Sequence, residues 1–589
     1  MNQKLENLLS LALQTPEEVR EQTETLNVGF DRGTKTWEVI VKYHDSLDAL
    51  EALSVKIEYL IAGYAILTIP EGLVDLVAGL EEIEYMEKPK RLFYSVTNPA
   101  DAACLPGVTL KEPFLTGEGV LIAVLDSGIA YSREDFRKEN GDTRIRFLWD
   151  QTLVPSEDRQ LLSPEGFSMG VEFCENQINE ALRASTEEAQ YETVPSRDVS
   201  GHGTAVAGIA AGSAVMGGLH RGTAPGADLL IVKLGTPDRL GFPRTTEIMR
   251  GVTYALQKAQ LLAMPLVINL SFGNSYGAHD GSSLLERFLD NAAEIGRTVI
   301  CVGSGNEGNA RGHVAGNVEE AEAVELAVGE YETTLNVQIW QNYSDKYRIS
   351  LRSPGGQEEV LPQSVEGGKY TLRLEQTEIL VYMGEPTPYG VAQETYLDMI
   401  PAGRPYIDSG IWTIRLEPVS TVTGQYYLYL PSSAAHGENT GFFKASPQVT
   451  LTVPSTAAKV ITVGAYDSAY DTYADFSGRG YVDVRRTTGI VRSGLTKPDL
   501  AAPGVGVVAP DIQGGYTPFT GTSFATPIVS GSAALLMEWG IVRGNDPFLY
   551  GEKVKAYLRS GARPVRGEAQ YPNDRVGWGA LCVRESLPF

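Results

Sequence analysis

Cysteine is scarce in this chain, with four among 589 residues: Cys104, Cys174, Cys301 and Cys582. They are scattered, with no C-x-x-C pair and no metal-ligand spacing, so a zinc site built on cysteine pairs is excluded. Free thiols in a reducing compartment are the expectation. Histidine is sparse too, at six, so one in a distinctive setting stands out. Positive charge falls short: 49 Lys and Arg face 74 Asp and Glu, a net −25. Such a surface repels nucleic acid and anionic membranes, and neither is expected as a partner. The N-terminus shows no basic segment leading into an apolar stretch and a small-residue cleavage site, so no secretory signal is expected. The Gly/Ala-rich stretch after His202 is too weakly apolar for a bilayer span of ~20 residues and reads as a helix buried against a sheet.

Hydrophobic residues make up 43% of the sequence, enough for a large core, and at ~100–200 residues per domain the length suits two to four domains. Residues 1–24 read as a polar, helix-prone lead. Residues 37–43 alternate as a half-buried strand does, 55–69 read as two strands split by Gly63, 71–80 as a short amphipathic helix and 84–94 as a strand. Together they suit a small α+β unit. Residues 95–106 are small and polar, suited to a linker or cleavage site. From Gly119 the pattern becomes α/β. Apolar runs without alternation at 120–125, 228–234, 265–270, 298–302 and 460–463 mark strands buried on both faces, and helical stretches fall between several of them. The fold class expected is α/β, a parallel sheet with helices on both faces. Two segments interrupt it: an acidic insertion at 140–197 with a helix at 172–182, and an all-β stretch from 312 to about 450. Strand-like runs at 370–374, 378–382, 411–416 and 425–430, separated by Gly and Pro turns, give that stretch a β-sandwich, jelly-roll-like character. The division expected is 1–97, 98–311, 312–450 and 451–589, the last resuming the α/β domain.

Three segments carry chemistry. Asp126 ends the run Val-Leu-Ile-Ala-Val-Leu-Asp, and sites in open parallel sheets gather at the carboxyl ends of strands. His202 stands between Gly201 and Gly203, where backbone can approach a partner closely, and small residues suited to tight helix packing follow. Ser523, in Phe-Thr-Gly-Thr-Ser-Phe-Ala-Thr-Pro, falls where a helix should begin, and Pro527 is tolerable in a first turn. Free amides at that end favour negative charge. Singly these residues have plain readings: a turn aspartate, a structural histidine, an N-cap serine. Jointly they suit nucleophilic catalysis, because a serine hydroxyl needs a base to take its proton and the base needs a group to hold its tautomer. Asn306, in a Gly-rich loop after a strand, supplies an amide donor for an oxyanion.

The motifs Asp126-Ser-Gly, His202-Gly-Thr-x-Val-Ala-Gly and Gly-Thr-Ser523-x-Ala-x-Pro, in that order, resemble the subtilisin family over residues 119–310 and 450–585. An α/β-hydrolase would need a Gly-x-Ser-x-Gly elbow and the order Ser, Asp, His. The resemblance implies a serine endopeptidase with Asp126, His202 and Ser523 as its triad and Asn306 in the oxyanion hole. Ser271, Phe272 and Gly273 would bind substrate backbone by β-augmentation, and Gly303, Ser304 and Gly305 would form the second wall of the primary specificity pocket. Residues 1–97 resemble a subtilase propeptide, an inhibitor and folding aid, with self-cleavage expected between about Ser95 and Cys104. Glu307 lies beside the pocket, where it would favour a basic side chain; the plainer reading is a solvated turn glutamate. More particularly, Glu-Lys-Pro-Lys-Arg-Leu at 87–92, Phe-Leu-Trp-Asp-Gln-Thr at 147–152, the helix around Asn176-Gln-Ile-Asn and the β domain after Asn306 resemble the Csp-type subtilases of clostridial spore germination. That family processes a cortex-lytic enzyme precursor, and some members are pseudoproteases that have lost triad residues; here all three are kept. The implied partners are a protein or peptide substrate and the chain's own propeptide, and the implied location is cytoplasmic or spore-associated. No cofactor is expected. Calcium sites are common in subtilases, but no ligand pattern here is firm enough to name.

Overall fold

A computed structural model describes residues 3–23, 25–90, 103–109, 112–213, 220–236, 243–363, 368–481 and 496–588. Its centre is a nine-stranded sheet. Six strands run parallel in the order Ile461–Asp467, Thr298–Gly303, Leu266–Leu270, Leu121–Asp126, Asp228–Lys233 and Ile145–Asp150. Leu500–Pro503 adds in parallel to Ile461–Asp467, while Thr472–Tyr473 and Val171–Cys174 close the ends antiparallel. Successive side chains leave opposite faces of a strand, and here both faces are covered. Ile122, Val124, Ile231, Val267 and Val299 pack on one side with Ala207 and Val529 from the helices His202–Ala211 and Thr522–Met537. Leu121, Ala123, Leu125, Val232 and Ile268 pack on the other with Met249 and Phe288 from the helices Thr245–Leu262 and Leu284–Ala293. Double coverage is why these strands lack a polar alternation.

The segment 140–197, expected to interrupt the sheet, supplies part of it. Ile145–Asp150 pairs in parallel with Asp228–Lys233 and Val171–Cys174 forms the edge. Its acidic flanks hid a short strand whose Leu148 and Trp149 are fully buried. The expected helix is Glu175–Leu182.

The N-terminal unit is a five-stranded antiparallel sheet with short helices. The lead expected to be polar is amphipathic instead: in the helix Asn7–Gln14, Leu8, Leu9, Leu11 and Ala12 are buried against Val39, Val41 and Leu67. The other sheet face sends Ile40, Tyr64 and Ile66 into the core of the nine-stranded sheet beside Phe288. Arg250 anchors this contact, bonding Glu38 at 2.6 Å, Glu58 at 2.8 Å and Glu247 at 3.2 Å. The tail 91–102, which holds most of the expected cleavage region, lies outside the described residues.

Between His313 and Phe442 two antiparallel sheets, of six and five strands, face each other across Val337, Ile339, Leu397, Ile414 and Leu416. Leu380, Tyr382 and Tyr396 of this insert join the core of the N-terminal unit, and Asn7 donates to Glu394 at 3.1 Å.

The cysteine expectation needs correction. Cys104 and Cys582 form a disulfide, their Cα atoms 4.9 Å apart, while Cys174 and Cys301 are free. Partners 478 residues apart leave no spacing signal, and scarcity alone misled. The pairing removes the ground for expecting a reducing compartment. Among the described residues one helix, Thr522–Val542, is long and apolar enough to cross a membrane, but 83% of that window is buried inside the protein, where it is the core helix beneath the sheet.

Candidate active site

Asp126 is the last residue of its strand and has no exposed surface. Its Oδ1 accepts from His202 Nδ1 at 2.7 Å and from the Ser127 amide at 2.8 Å. His202 is the first residue of its helix, entered through Gly201 at φ +79°. The glycine after it is sterically forced: a Cβ on Gly203 would lie 2.2 Å from the Gly128 carbonyl oxygen. Asp198 braces the approach. It accepts from Ser127 Oγ at 2.8 Å, the Gly201 amide at 3.0 Å and Thr204 Oγ1 at 2.7 Å. Burial penalises a charged His202, yet the Asp126 carboxylate, its hydrogen bond and Asp198 outweigh that and raise the imidazole above its ordinary value.

Ser523 is the second residue of its helix, behind Gly521. Its hydroxyl donates to the Ser271 carbonyl at 3.1 Å. The next residue, Phe524, packs its ring 5.3 Å from the His202 ring, which brings the serine backbone beside the imidazole. Asn306 Oδ1 accepts from the Thr522 amide at 3.0 Å and from Thr522 Oγ1 at 3.1 Å. With its oxygen committed to the helix start, the carboxamide is left with its NH2 as the group to offer a ligand.

Ser523 and Asn306 line a cleft together with Ser271, Phe272, Gly273, Gly303 and Gly305. Of the expected substrate-binding residues, Ser304 alone does not face it: fully buried, its hydroxyl meets Ser477 Oγ at 3.2 Å. Four lining residues went unforeseen: Thr452, Ser432, Ala434 and Thr522. Thr452 stands between the walls, so close that a Cβ on Gly273 would lie 2.2 Å from its Oγ1 and one on Gly305 would lie 2.4 Å from its Cγ2. Glu307 is a half-buried member of the lining rather than a solvated turn residue. Its carboxylate accepts from the Ser433 amide and hydroxyl, each at 3.2 Å. Burial pushes its carboxyl up to about 7, against the lowering effect of those bonds. Ser432–Ala434 follow the last long strand of the insert, so the β domain closes one side of the cleft. Among the described residues no cluster of three or more His, Cys, Asp or Glu is placed to hold a metal ion.

The parallel sheet, a buried Asp–His pair at its carboxyl edge and a serine at the start of the central helix define a subtilase. Residues 117–383 and 432–579 match the subtilase family, and the chain belongs to it. Within that family it is of the Csp type: residues 3–90 match the Csp protease B prodomain. The CspB protease of Clostridium perfringens is 34% identical, with a TM-score of 0.73 over 82% of this chain and 95% of that one. Among curated relatives, the minor extracellular protease Vpr of Bacillus subtilis is 23% identical over 80% of this chain and 52% of its own length. The serine protease AprX of the same organism is 33% identical over 24% of this chain and 32% of its own. The chain spans about half the length, or less, of these curated relatives.

Proposed function

We propose that this chain is a serine endopeptidase made as a self-processing zymogen. The observation that carries the reading is the buried 2.7 Å contact between His202 and Asp126, placed beside a cleft that holds Ser523 and Asn306. In the proposed mechanism the Ser523 hydroxyl leaves the Ser271 carbonyl, turns to His202 Nε2 and gives up its proton as its oxygen attacks the scissile carbonyl. Asp126 holds the Nδ1–H tautomer and stabilises the imidazolium. The Asn306 NH2 and the amides at the start of the helix take the developing oxyanion, where preorganised donors act without reorganisation cost. His202 then protonates the leaving amine, and water releases the acyl group from Ser523 by the same steps in reverse roles.

Limited proteolysis of another protein, in a germination setting, is the role implied by the Csp resemblance. Retention of the N-terminal unit after cleavage is supported by its buried contacts to both the catalytic domain and the insert. Self-processing is tested by intact mass. Wild-type protein is expected as two fragments cut between about Ser95 and Cys104, and Ser523→Ala as one uncut chain. The same intact mass for both would overturn the self-processing.

A further inference from the structure

Pro527 lies inside the helix that begins at Thr522. In a regular α-helix each carbonyl accepts from the amide four residues on. For Ser523 that residue is Pro527, which has no N–H and whose ring crowds the carbonyl four residues back. The backbone of the expected nucleophile is thus deprived of its helical partner in the turn that aims its side chain. A buried carbonyl without a donor is costly, and the structure supplies one from outside the helix: Ser271 Oγ donates to the Ser523 carbonyl at 3.0 Å.

That bond dictates the direction of every bond behind it. A carbonyl only accepts, so the single hydroxyl hydrogen of Ser271 is spent on Ser523. Ser271 Oγ must then accept from Asn269 Nδ2, 3.0 Å away. This fixes the carboxamide of Asn269, whose Oδ1 accepts from Ser530 Oγ at 2.8 Å. Asn269 and Ser530 are fully buried, so water cannot substitute. Ser530 belongs to the same helix as Ser523, and the chain of bonds therefore ties two points of that helix to the end of the strand Leu266–Leu270.

We propose that Asn269 is a positioning residue: through Ser271 it holds the Ser523 carbonyl that Pro527 leaves unpaired, and so sets the orientation of the nucleophile. It touches no reacting atom. The proposal rests on Ser523 being the nucleophile, as read above. Asn269→Asp keeps the acceptor for Ser530 but offers Ser271 an acceptor where it needs a donor, which turns the Ser271 hydrogen away from Ser523. Ser271→Ala removes the donor outright. Pro527→Ala returns an N–H to the Ser523 carbonyl within the helix.

The test is steady-state hydrolysis of a peptide substrate by the full chain, with the rate at which a fluorophosphonate labels Ser523 followed in parallel. Asn269→Asp and Ser271→Ala are each expected to lower kcat and the labelling rate about tenfold, the scale of one lost hydrogen bond, with KM within twofold. Adding Pro527→Ala to Ser271→Ala is expected to restore kcat to within threefold of Pro527→Ala alone, a recovery that a general packing role would not produce. If Asn269→Asp fails to fold, Ser530→Ala takes its place at the far end of the chain of bonds, with a two- to fivefold loss expected. Wild-type rates in the variants, or no recovery from Pro527→Ala, would overturn the positioning role alone. A wild-type protein that neither cleaves peptide nor takes label at Ser523 would instead overturn the protease reading.

Discussion

Asp126→Asn should fold and should lose about 10,000-fold in kcat, the loss that accompanies this change in other serine-protease triads. The volume is conserved, but the amide no longer enforces the Nδ1–H tautomer of His202 and no longer offsets an imidazolium. The pH profile gives an independent sign. As the proposed base, His202 must be neutral, so activity should appear as pH rises through its pKa. In the wild type burial opposes the charged imidazole, while the Asp126 charge and hydrogen bond, with Asp198, raise its pKa above the ordinary 6.5. The acidic limb of kcat/KM should therefore lie above 6.5, and in Asp126→Asn it should move down. The same shift makes the protonated pair a source of stability that is full below about 6.5 and lost as pH rises through the raised value. A variant with near wild-type kcat, or an acidic limb that stays in place, would contradict the assignment of Asp126.

Asn306→Ala should lower kcat by about 100- to 1,000-fold with little change in KM. Removal of one such donor in subtilisin itself costs about 2.7–4 kcal/mol. The selectivity follows from geometry. Asn306 Oδ1 is already bound by Thr522, so the NH2 serves charge that appears only in the transition state. Residual activity should persist, because the amides at the helix start remain. The variant should still fold, with a lowered melting point, since the two lost bonds to the half-buried Asn306 together cost about 1–3 kcal/mol. Asn306→Asp, which has no donor when ionised and adds like charge, should be worse than alanine. Peptide hydrolysis with thermal melts of the three proteins checks this, and wild-type kcat in Asn306→Ala would remove the residue from the oxyanion site.

The legible parts of this molecule were those where a local motif carries a steric demand. Gly203 follows His202 because no side chain fits against Gly128, so the demand is written beside the residue it serves. The buried strands were legible for a similar reason: coverage on both faces leaves an unbroken apolar run. What escaped depends on segments meeting in space. Asp198 reads as one acidic residue in an acidic stretch until the fold brings Ser127 and Thr204 to it. Thr452 reaches the cleft from just beyond the β insert and Ser432 from within it, each more than a hundred residues after the pocket walls. The buried face of the helix Asn7–Gln14 was masked by the polar residues around it, and the strand Ile145–Asp150 by charged flanks. The Cys104–Cys582 pairing has no local trace at all.

The central claim is that Ser523, activated by His202 and Asp126, is the nucleophile of this chain. It is tested most directly by exposing the full-length protein to a fluorophosphonate and locating the adduct by peptide mass spectrometry. The expected result is a single phosphonylated residue, Ser523, with no label in Ser523→Ala and greatly slowed labelling in Asp126→Asn. An unlabelled wild-type protein, or an adduct on another serine that survives Ser523→Ala, would contradict it.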